Sequence, residues 1–469
     1  MLRSHCSLAA LLDASQRYDP PRCAETTRRE IIQRLENWVR HDSSHGALSS
    51  IFWLYGAAGA GKSALAQSLS EKFKTNDDLA ASFFFFRSDV NRNDGNYLIP
   101  TLALQLAESF DGLTPILEEI ILRKPDLFKK NLHTQVSQLL VEPLVRLSLE
   151  ETKDVLVQSN TALRSHPRLV VIDGLDECAD SNIQCDLLRI IGSAIPHSPY
   201  PLRFLITSRP ESHITRAFQH DIGKVAKYDL SDDSDADQDI RRFLQAAFAE
   251  IRRTHPLRQH LPSRWPPPAD ISAIVERSSA HFIYASTVIR FIKSPKHRPD
   301  DRLQVILGLK RPYEKERPYA ALDLLYTLIF FEIQDPRQLE KIQRAFGIMY
   351  LRSRKIGLFT RTQWTSDRHI IEVLLELRPG DLVLLFDPLL SLVTFDGDNI
   401  RIFHKSLFDY LLDSNRSGEL QLNLALAFES AANYILQEKK WKDNWCKCSL
   451  RRNYINCSKL FYLSRYSGI

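Results

Sequence analysis

Short apolar runs alternate with amphipathic helical stretches over the first half of the chain. The runs lack the apolar–polar alternation of a half-exposed strand and occupy residues 51–55, 81–86, 168–173, 203–208 and 224–230. Strands that are apolar on both faces and separated by helices are typical of a parallel sheet covered on both sides. The pattern therefore predicts an α/β fold, a parallel sheet with helices on both faces, over residues 25–230.

The pattern changes after residue 230. An acidic stretch from residue 231 becomes helical, and a proline-rich bend follows at residues 253–270; residues 270–335 are mostly helical in their periodicity, with a break at residues 293–302. Residues 336–437 combine helices with two short strands in residues 391–404, joined at Asp396–Gly397–Asp398. We therefore predict a lead-in (1–24), the α/β domain (25–230), a helical domain (231–335), a winged-helix-like domain (336–437) and an atypical basic tail (438–469).

Composition narrows the class of protein. The net charge of +5 over 469 residues is too small to indicate a specific nucleic-acid partner. Seven scattered cysteines imply no disulfide framework, and no apolar run is long enough to span a bilayer. The N-terminus is a poor match to a secretory signal, so we expect a cytoplasmic protein. The acidic stretch from residue 231 lacks calcium-loop spacing, and Cys446, Cys448 and Cys457 lack a fourth zinc ligand.

A glycine-rich segment connects the first predicted strand to a helix. Residues 56–63, GAAGAGKS, fit the pattern G-x-x-x-x-G-K-[ST] at every required position. Glycines allow the backbone to approach a phosphate, the lysine reaches the β- and γ-phosphates, and the hydroxyl binds Mg²⁺. The alternative, a glycine-rich turn without a ligand, explains neither the lysine nor the serine. The predicted nucleotide-binding residues here are Gly56, Ala57, Ala58, Gly59, Ala60, Gly61, Lys62, Ser63 and Ala64.

Two later strands end in polar residues. The run RLVVID delivers Asp173 to its carboxyl end, where doubly wound sheets bind ligands, and Asp176 and Glu177 follow closely. Asp173 is predicted to hold Mg²⁺ with Ser63, although alone it could be a simple turn residue. Asp176 or Glu177 would polarise an attacking water, with Glu177 favoured. The run RFLITS is followed by Arg209, a candidate sensor of the γ-phosphate or, alternatively, a surface partner of a neighbouring acid.

These motifs give the chain a family resemblance. The segments DGLDE (173–177) and ITSRPE (206–211) resemble those of the NACHT-type STAND P-loop NTPases, in particular the fungal (basidiomycete) set with a nephrocystin-3-like N-terminal NTPase domain. The likeness covers about residues 15–435. It includes CAETTRREIIQRLENWV before the glycine-rich loop, and DADQDIRRFL, HFIYASTVIRFI and FHKSLFDYLLDSNRSGEL after it.

The resemblance implies a regulated switch that binds ATP or ADP with Mg²⁺. Such proteins hold ADP at rest, then open and self-associate when ATP replaces it. The resemblance implies catalytic or sensing roles for Lys62, Asp176, Glu177 and Arg209. It also implies that His404 contacts the ADP β-phosphate, although a core or turn histidine is an equal alternative, and that Thr27 and Arg28 lie near the adenine. Slow ATP hydrolysis, an unknown protein partner and a role in fungal non-self recognition are further expectations.

The chain departs from the family at one informative place. Ala280–His281 stand where the family usually has Gly-Leu, which implies an altered lid over the base. Effector and repeat domains that usually flank this core are not recognisable in the sequence. Two alternatives to the switch remain. One is a non-hydrolysing nucleotide-bound scaffold or interaction module. The other is a small-molecule kinase or a helicase, but nothing in the sequence marks the acceptor pocket of a kinase or the basic channel with stacking aromatics of a helicase.

Overall fold

A computed structural model describes most of the chain. It covers residues 1–17, 20–24, 27–40, 49–87, 89–153, 166–195, 198–230, 235–308, 319–354, 356, 359, 366–404 and 406–442. The three cysteines of the predicted tail, and everything after residue 442, lie outside the described residues. The chain divides into two compact units, residues 1–325 and 326–469. The predicted domain boundaries at 24, 230, 335 and 437 remain predictions.

The first unit is built on a parallel five-stranded sheet. Its strands are β1 (Ile51–Tyr55), β2 (Leu79–Phe84), β3 (Arg168–Asp173), β4 (Leu202–Ser208) and β5 (Val225–Asp229), in the order β2-β3-β4-β1-β5. Every pairing is parallel, so all five carboxyl ends lie at one edge. This confirms the predicted α/β sheet.

The sheet is covered on both faces, which explains its uninterrupted apolar runs. In β1, Ile51 and Trp53 belong to one buried cluster, and Phe52 and Leu54 belong to the other. Successive strand residues point to opposite faces, so a strand buried on both sides needs an apolar residue at every position. The predicted second strand runs two residues too far, because Phe85 and Phe86 follow the end of β2.

Helices surround the sheet and continue beyond it in the first unit. The α-helices of this unit are α1 (Arg29–Arg40), α2 (Lys62–Thr75), α3 (Leu98–Ser109), α4 (Leu113–Arg123), α5 (Leu132–Val136), α6 (Glu142–Lys153), α7 (Ser181–Ala194), α8 (Ser212–Arg216), α9 (Ala236–Thr254), α10 (Pro268–Ser278), α11 (Phe282–Ile292) and α12 (Pro299–Gly308). Single π-helical turns, Ser137–Val141 and Ala217–Asp221, follow α5 and α8. The N-terminal residues form three short 3-10 turns, Leu2–His5, Leu8–Ala10 and Ser15–Arg17.

The second unit is helical with one hairpin. Helix α13 (Ala320–Phe331) contains the boundary between the units; α14 to α19 follow as Pro336–Ser353, Asp367–Leu374, Asp381–Leu385, Ser406–Leu412, Ser414–Ser417 and Leu424–Lys442. Strands β6 (Val393–Asp396) and β7 (Asn399–Ile402) pair antiparallel around Gly397, as the predicted hairpin requires. The described helices include none that is both long and apolar enough to cross a membrane.

Candidate functional site

The glycine-rich loop lies between β1 and the amino end of α2. Gly61, at φ 97°, is the N-cap of α2, and no side chain caps the helix. Gly59, at φ 78°, packs so closely on α11 that a Cβ there would lie 2.2 Å from Ile283 Cγ2. The N–H groups and dipole at the start of a helix favour an anion. The loop therefore has the backbone of a phosphate site.

Lys62 folds back over this loop. Its Nζ donates to the carbonyl oxygens of Gly56 (2.7 Å) and Ala57 (2.8 Å), and only 7% of the residue is exposed. An ammonium has three donors and carries a point charge. These contacts hold that charge at the loop, where the sequence predicts it.

Asp173 meets the loop at the carboxyl edge of the sheet. Its carboxylate accepts hydrogen bonds from the hydroxyls of Thr207, at 2.6 Å to Oδ1, and Ser63. The Thr207 hydroxyl in turn accepts from the N–H of Gly174 at 2.9 Å. The strand order puts β4 between β1 and β3, so Thr207 bridges toward the acid from the intervening strand. Thus the two predicted magnesium-binding side chains, Ser63 and Asp173, are in contact.

Burial dominates the electrostatics of Asp173. Desolvation raises the pKa of its carboxyl, and the nearby Glu177 raises it further; hydrogen bonds from Thr207 and Ser63 and the charge of Arg17 oppose this shift. A buried carboxylate is costly unless hydrogen bonds or a cation offset its charge. The chemistry of this carboxylate and hydroxyl suits a hard cation such as Mg²⁺. Among the described residues, no cluster of three or more metal-binding side chains occurs.

Asp176 is engaged with Arg209 through both carboxylate oxygens. The N–H of Arg209 donates to Oδ1 at 3.0 Å, and its Nε lies 3.5 Å from Oδ2. The Asp176 side chain is fully buried, whereas a fifth of the Arg209 side chain is exposed. The pairing with a neighbouring acid that the sequence allowed for Arg209 is therefore present. It also fixes the direction of the arginine at the carboxyl end of β4.

Glu177 is held by the loop that follows β2. Its Oε2 accepts from the N–H of Arg87 at 3.1 Å, and Arg87 Nη2 donates to the carbonyl of Asp176 at 2.9 Å. Asn93 Nδ2 donates to the carbonyl of Arg87 at 3.0 Å. Arg87 thus braces the turn that carries both candidate bases. No local motif indicates this role of Arg87, because the role depends on contacts with residues 89 and 90 positions away.

The start of α11 covers the loop from outside. The N–H of Ile283 donates to the carbonyl of Gly59 at 3.4 Å. Arg28 also contacts the loop, since its Nη2 donates to the carbonyl of Ala60 at 3.0 Å. The Arg28 guanidinium lies 5.0 Å from the centre of the Phe282 ring. The backbone N–H of Arg28 donates to Asp239 Oδ2 at 2.7 Å. Arg28 therefore joins the loop to both α9 and α11. The predicted position of Thr27 and Arg28 near an adenine remains a prediction.

The connection before α11 is strained. Ser279 and Ala280, both non-glycine residues, have φ values of 46° and 62°. L-residues with a side chain adopt this left-handed conformation at a cost, which glycine avoids. Ala280 is the position where the family resemblance expects glycine, so the sequence departure coincides with backbone strain.

His404 belongs to the second unit. Its Nδ1 lies 2.7 Å from the hydroxyl of Ser406 and accepts the N–H of the same residue at 3.1 Å. Because Nδ1 accepts a hydrogen bond from this N–H, the neutral ring carries its own proton on Nε2. The expected contact of His404 with an ADP β-phosphate remains a prediction.

Residues 26–209 match a family model, described as nephrocystin 3, N-terminal. The matched segment contains β1 to β4, the glycine-rich loop, Asp173 and Arg209. The chain contains a P-loop NTPase domain. The match covers less than half of the chain, so membership of the whole protein in that family does not follow.

Several solved structures are similar to the chain at low scores. The ORC2 protein of Aeropyrum pernix, solved as ADPNP-ADP complexes, is 13% identical, with 90% of this chain and 97% of that chain covered and a TM-score of 0.35. The Aeropyrum pernix ORC1 protein in complex with DNA is 12% identical, with 92% and 98% covered and a TM-score of 0.35. PCH-2 of C. elegans is 14% identical, with 63% and 70% covered and a TM-score of 0.31.

Scores this low carry no argument about ligands or partners. A comparison with curated proteins gave no significant match. The P-loop NTPase assignment therefore depends on the family match, the parallel sheet and the loop geometry.

Proposed function

We propose that the chain binds ATP or ADP with Mg²⁺ and works as a nucleotide-dependent switch of the NACHT-type STAND class. The observation that carries the proposal is the contact between the Ser63 hydroxyl and the Asp173 carboxylate, beside the uncapped start of α2. Two hard oxygen groups, one from the start of helix α2 and one from the end of strand β3, beside a backbone suited to phosphate, are what a metal-bound polyphosphate requires.

The chain's own groups divide the work of binding. Backbone N–H groups of residues 56–64 would bind the phosphates, and Lys62 would place its ammonium on them. Ser63 and Asp173 would hold Mg²⁺, which supplies positive charge to the phosphate oxygens when bound. Arg209, directed by Asp176, would respond to a terminal phosphate. Glu177 is the favoured group to orient an attacking water, because both oxygens of Asp176 engage Arg209.

The covering of the loop by α11 supports a switch. Ile283 packs directly on Gly59, so a change in the loop on nucleotide exchange would act on α11. By the family resemblance, such a change would open the molecule and permit self-association in the cytoplasm. Recognition of an unknown protein partner, and a part in fungal non-self recognition, belong to the same proposal.

A second candidate is a scaffold that binds nucleotide without hydrolysing it. One observation favours it: Glu177 is bound by the N–H of Arg87, and Asp176 is paired with Arg209. Both candidate bases are therefore occupied by protein groups. In that case the nucleotide would stabilise the fold, and signalling would depend on partner contact alone.

Nucleotide retention tests the proposal itself. We expect the purified full chain to carry ADP or ATP and Lys62→Ala to carry much less, because the variant loses a charge on the phosphates. Lys227→Ala, a lysine on the edge strand β5, is a matched control that should retain nucleotide. Chromatography of the nucleotide released by denaturation gives the measurement. Wild-type protein without nucleotide, and without affinity for added ADP, would refute the switch.

Turnover separates the two candidates. Under the switch, Glu177→Gln slows phosphate release by about 100-fold or more, in line with loss of a general base. Asp176→Asn is the informative comparison, since it should disturb Arg209 and weaken discrimination between ATP and ADP. Phosphate release that is equally slow in wild type and Glu177→Gln would favour the scaffold.

A further inference from the structure

An N-terminal strap, residues 11–17 and 20–24, runs along the helix that follows the P-loop. Four of its residues contact α2: Arg17 Nη2 donates to Gln67 Oε1 (2.5 Å), the Cys23 N–H donates to Ser68 Oγ (2.9 Å), Arg22 Nε pairs with Glu71 Oε1 (2.9 Å) and Asp13 Oδ2 pairs with Lys74 (2.8 Å). Positions 67, 71 and 74 are spaced along one face of a helix. The strap thus packs along this helix, although the family match begins only at residue 26.

Arg17 is the buried member of this set. It is 8% exposed, donates to the carbonyls of Leu11 (3.3 Å) and Leu12 (3.0 Å), and its guanidinium lies 3.4 Å from the centre of the Phe84 ring. Burial and, secondarily, the charge of Arg92 lower the pKa of Arg17 to about 9, and Asp173 and Glu71 oppose that shift. The side chain remains charged at neutral pH, and a charge so deeply buried needs nearby negative groups.

The contacts of Arg17 lead to both sides of the proposed metal site. Gln67 lies one helical turn after Ser63 on α2. Phe84 is the register partner of Asp173 across β2 and β3. Arg17 thus touches the helix that carries the hydroxyl and the residue beside the acid, and it interacts electrostatically with Asp173 itself.

From this arrangement we infer that Arg17 is a positioning residue that acts as the counter-ion of Asp173 when no metal is bound. The inference rests on the proposed nucleotide site. A polyphosphate entering a metal-free site would meet the negative charge of Asp173, and the guanidinium offsets that charge. Arg17 would therefore allow ADP to bind without Mg²⁺, whereas bound Mg²⁺ would take over the same role and make Arg17 dispensable.

The test compares ADP affinity in EDTA with ADP affinity in saturating Mg²⁺, using a fluorescent ADP analogue and the full chain. Arg17→Met should weaken binding about tenfold in EDTA and about twofold or less in Mg²⁺. Arg17→Lys keeps the positive charge, so its ratio of ADP affinity in EDTA to ADP affinity in Mg²⁺ should equal that of the wild type. Arg22→Met is the matched control. It removes an exposed arginine of the strap that pairs with Glu71 on the same helix, and it should leave both affinities unchanged.

A purely structural role for Arg17 would weaken both affinities equally, and that result, or no change in either, would overturn the inference while leaving the nucleotide site intact. Wild-type protein that binds ADP in neither condition would overturn the proposed function as well.

Stability in the absence of nucleotide gives a second readout that does not require Arg17→Met to bind ADP. If the pair is coupled, Arg17→Met should lower the melting temperature in the wild-type background and at most about half as much in Asp173→Asn. A single variant that fails to fold while the double variant folds would support the coupling. Equal losses in both backgrounds, or failure of both to fold, would overturn it.

Discussion

Ala280 holds a left-handed backbone conformation, φ 62°, directly before α11. The conformation costs a residue with a Cβ roughly 1–2 kcal/mol, and glycine is nearly exempt from this cost. We expect Ala280→Gly to raise the free energy of unfolding by about 1 kcal/mol, after the greater flexibility of glycine in the unfolded chain is counted. Urea denaturation of the nucleotide-free protein measures the change.

The control for Ala280 is an exposed alanine inside a regular helix. Ala249 lies in α9, where glycine lowers stability by about 1 kcal/mol relative to alanine. The two substitutions are chemically identical, so opposite signs would isolate the backbone conformation as the cause. Destabilisation by both would mean that residue 280 does not need the left-handed conformation.

The pH dependence of stability should report the burial of Asp173. Since its pKa is raised in the folded state, folding is favoured by protonation, and stability is lost as the pH rises from about 4 through the folded pKa. Asp173→Asn does not titrate. We expect this variant to gain about 0.5–2 kcal/mol of stability over wild type at pH 7.5 and little near pH 4, measured in EDTA without nucleotide.

The same variant should lose Mg²⁺-dependent nucleotide binding, because an amide is a poorer ligand than a carboxylate for a hard cation. Stability gained with binding lost is the signature of a charge kept for function. Leu169→Ala, in the same strand but buried in the core, is the control: it should lose about 2–5 kcal/mol at both pH values. If Asp173→Asn gained the same stability at both pH values, the charge of the Asp173 carboxylate would not be the cause of the gain.

Local spacing in the sequence predicted the residues of the nucleotide site but not the arginines that hold them in place. Lys62 and Ser63 follow the loop glycines, and Asp173 ends an apolar strand, so the parallel sheet brought them to one edge as expected. Arg17 and Arg87 act on this edge through contacts across 50 to 90 residues. No periodicity or short motif encodes such distances, because they depend on how the strap and the loop after β2 pack.

At the scale of elements, the P-loop and α11 interlock at one glycine. A Cβ on Gly59 would lie 2.2 Å from Ile283 Cγ2, and the φ of 78° adds strain. We expect Gly59→Ala to displace α11 and cost about 2–4 kcal/mol, the sum of overpacking and backbone strain. Hydrogen exchange over Phe282–Ile292, together with thermal unfolding, would show whether the loss is local to α11.

Two variants separate the causes. Gly223→Ala adds a methyl where no atom lies within 4 Å and should be neutral or slightly stabilising. Gly59→Ala combined with Ile283→Ala removes the contact at 2.2 Å with Cγ2 but keeps the contact at 2.7 Å with the Cβ of residue 283 and the strained φ, so α11 should recover only part of its protection. If α11 exchanges as slowly in Gly59→Ala as in wild type, the loop and this helix are not coupled.

The strands were easier to predict than their ends. All five apolar runs became strands of the sheet, and the hairpin in the second unit formed around Gly397. The second strand ends at Phe84 because the chain then turns: the Phe86 N–H donates to the carbonyl of Arg92 at 3.2 Å, within a loop rather than a ladder. Nothing in the aromatic run indicates where that turn begins.

The strand order β2-β3-β4-β1-β5 could not be predicted from the sequence either, since alternation of strands and helices is compatible with several orders.

At the scale of the whole molecule, the proposed switch predicts that nucleotide state controls assembly. We expect the full chain to be a monomer with ADP and to form larger species with a non-hydrolysable ATP analogue and Mg²⁺, because the terminal phosphate would engage Arg209 and loosen α11 from the loop. Light scattering coupled to size exclusion measures the mass in each state.

Two variants test the cause of assembly. Lys62→Ala should stay monomeric with either nucleotide. Gly59→Ala should assemble even with ADP, since it loosens α11 without a terminal phosphate. A mass that is the same with both nucleotides in wild type would favour the scaffold instead, whose nucleotide serves only to stabilise the fold.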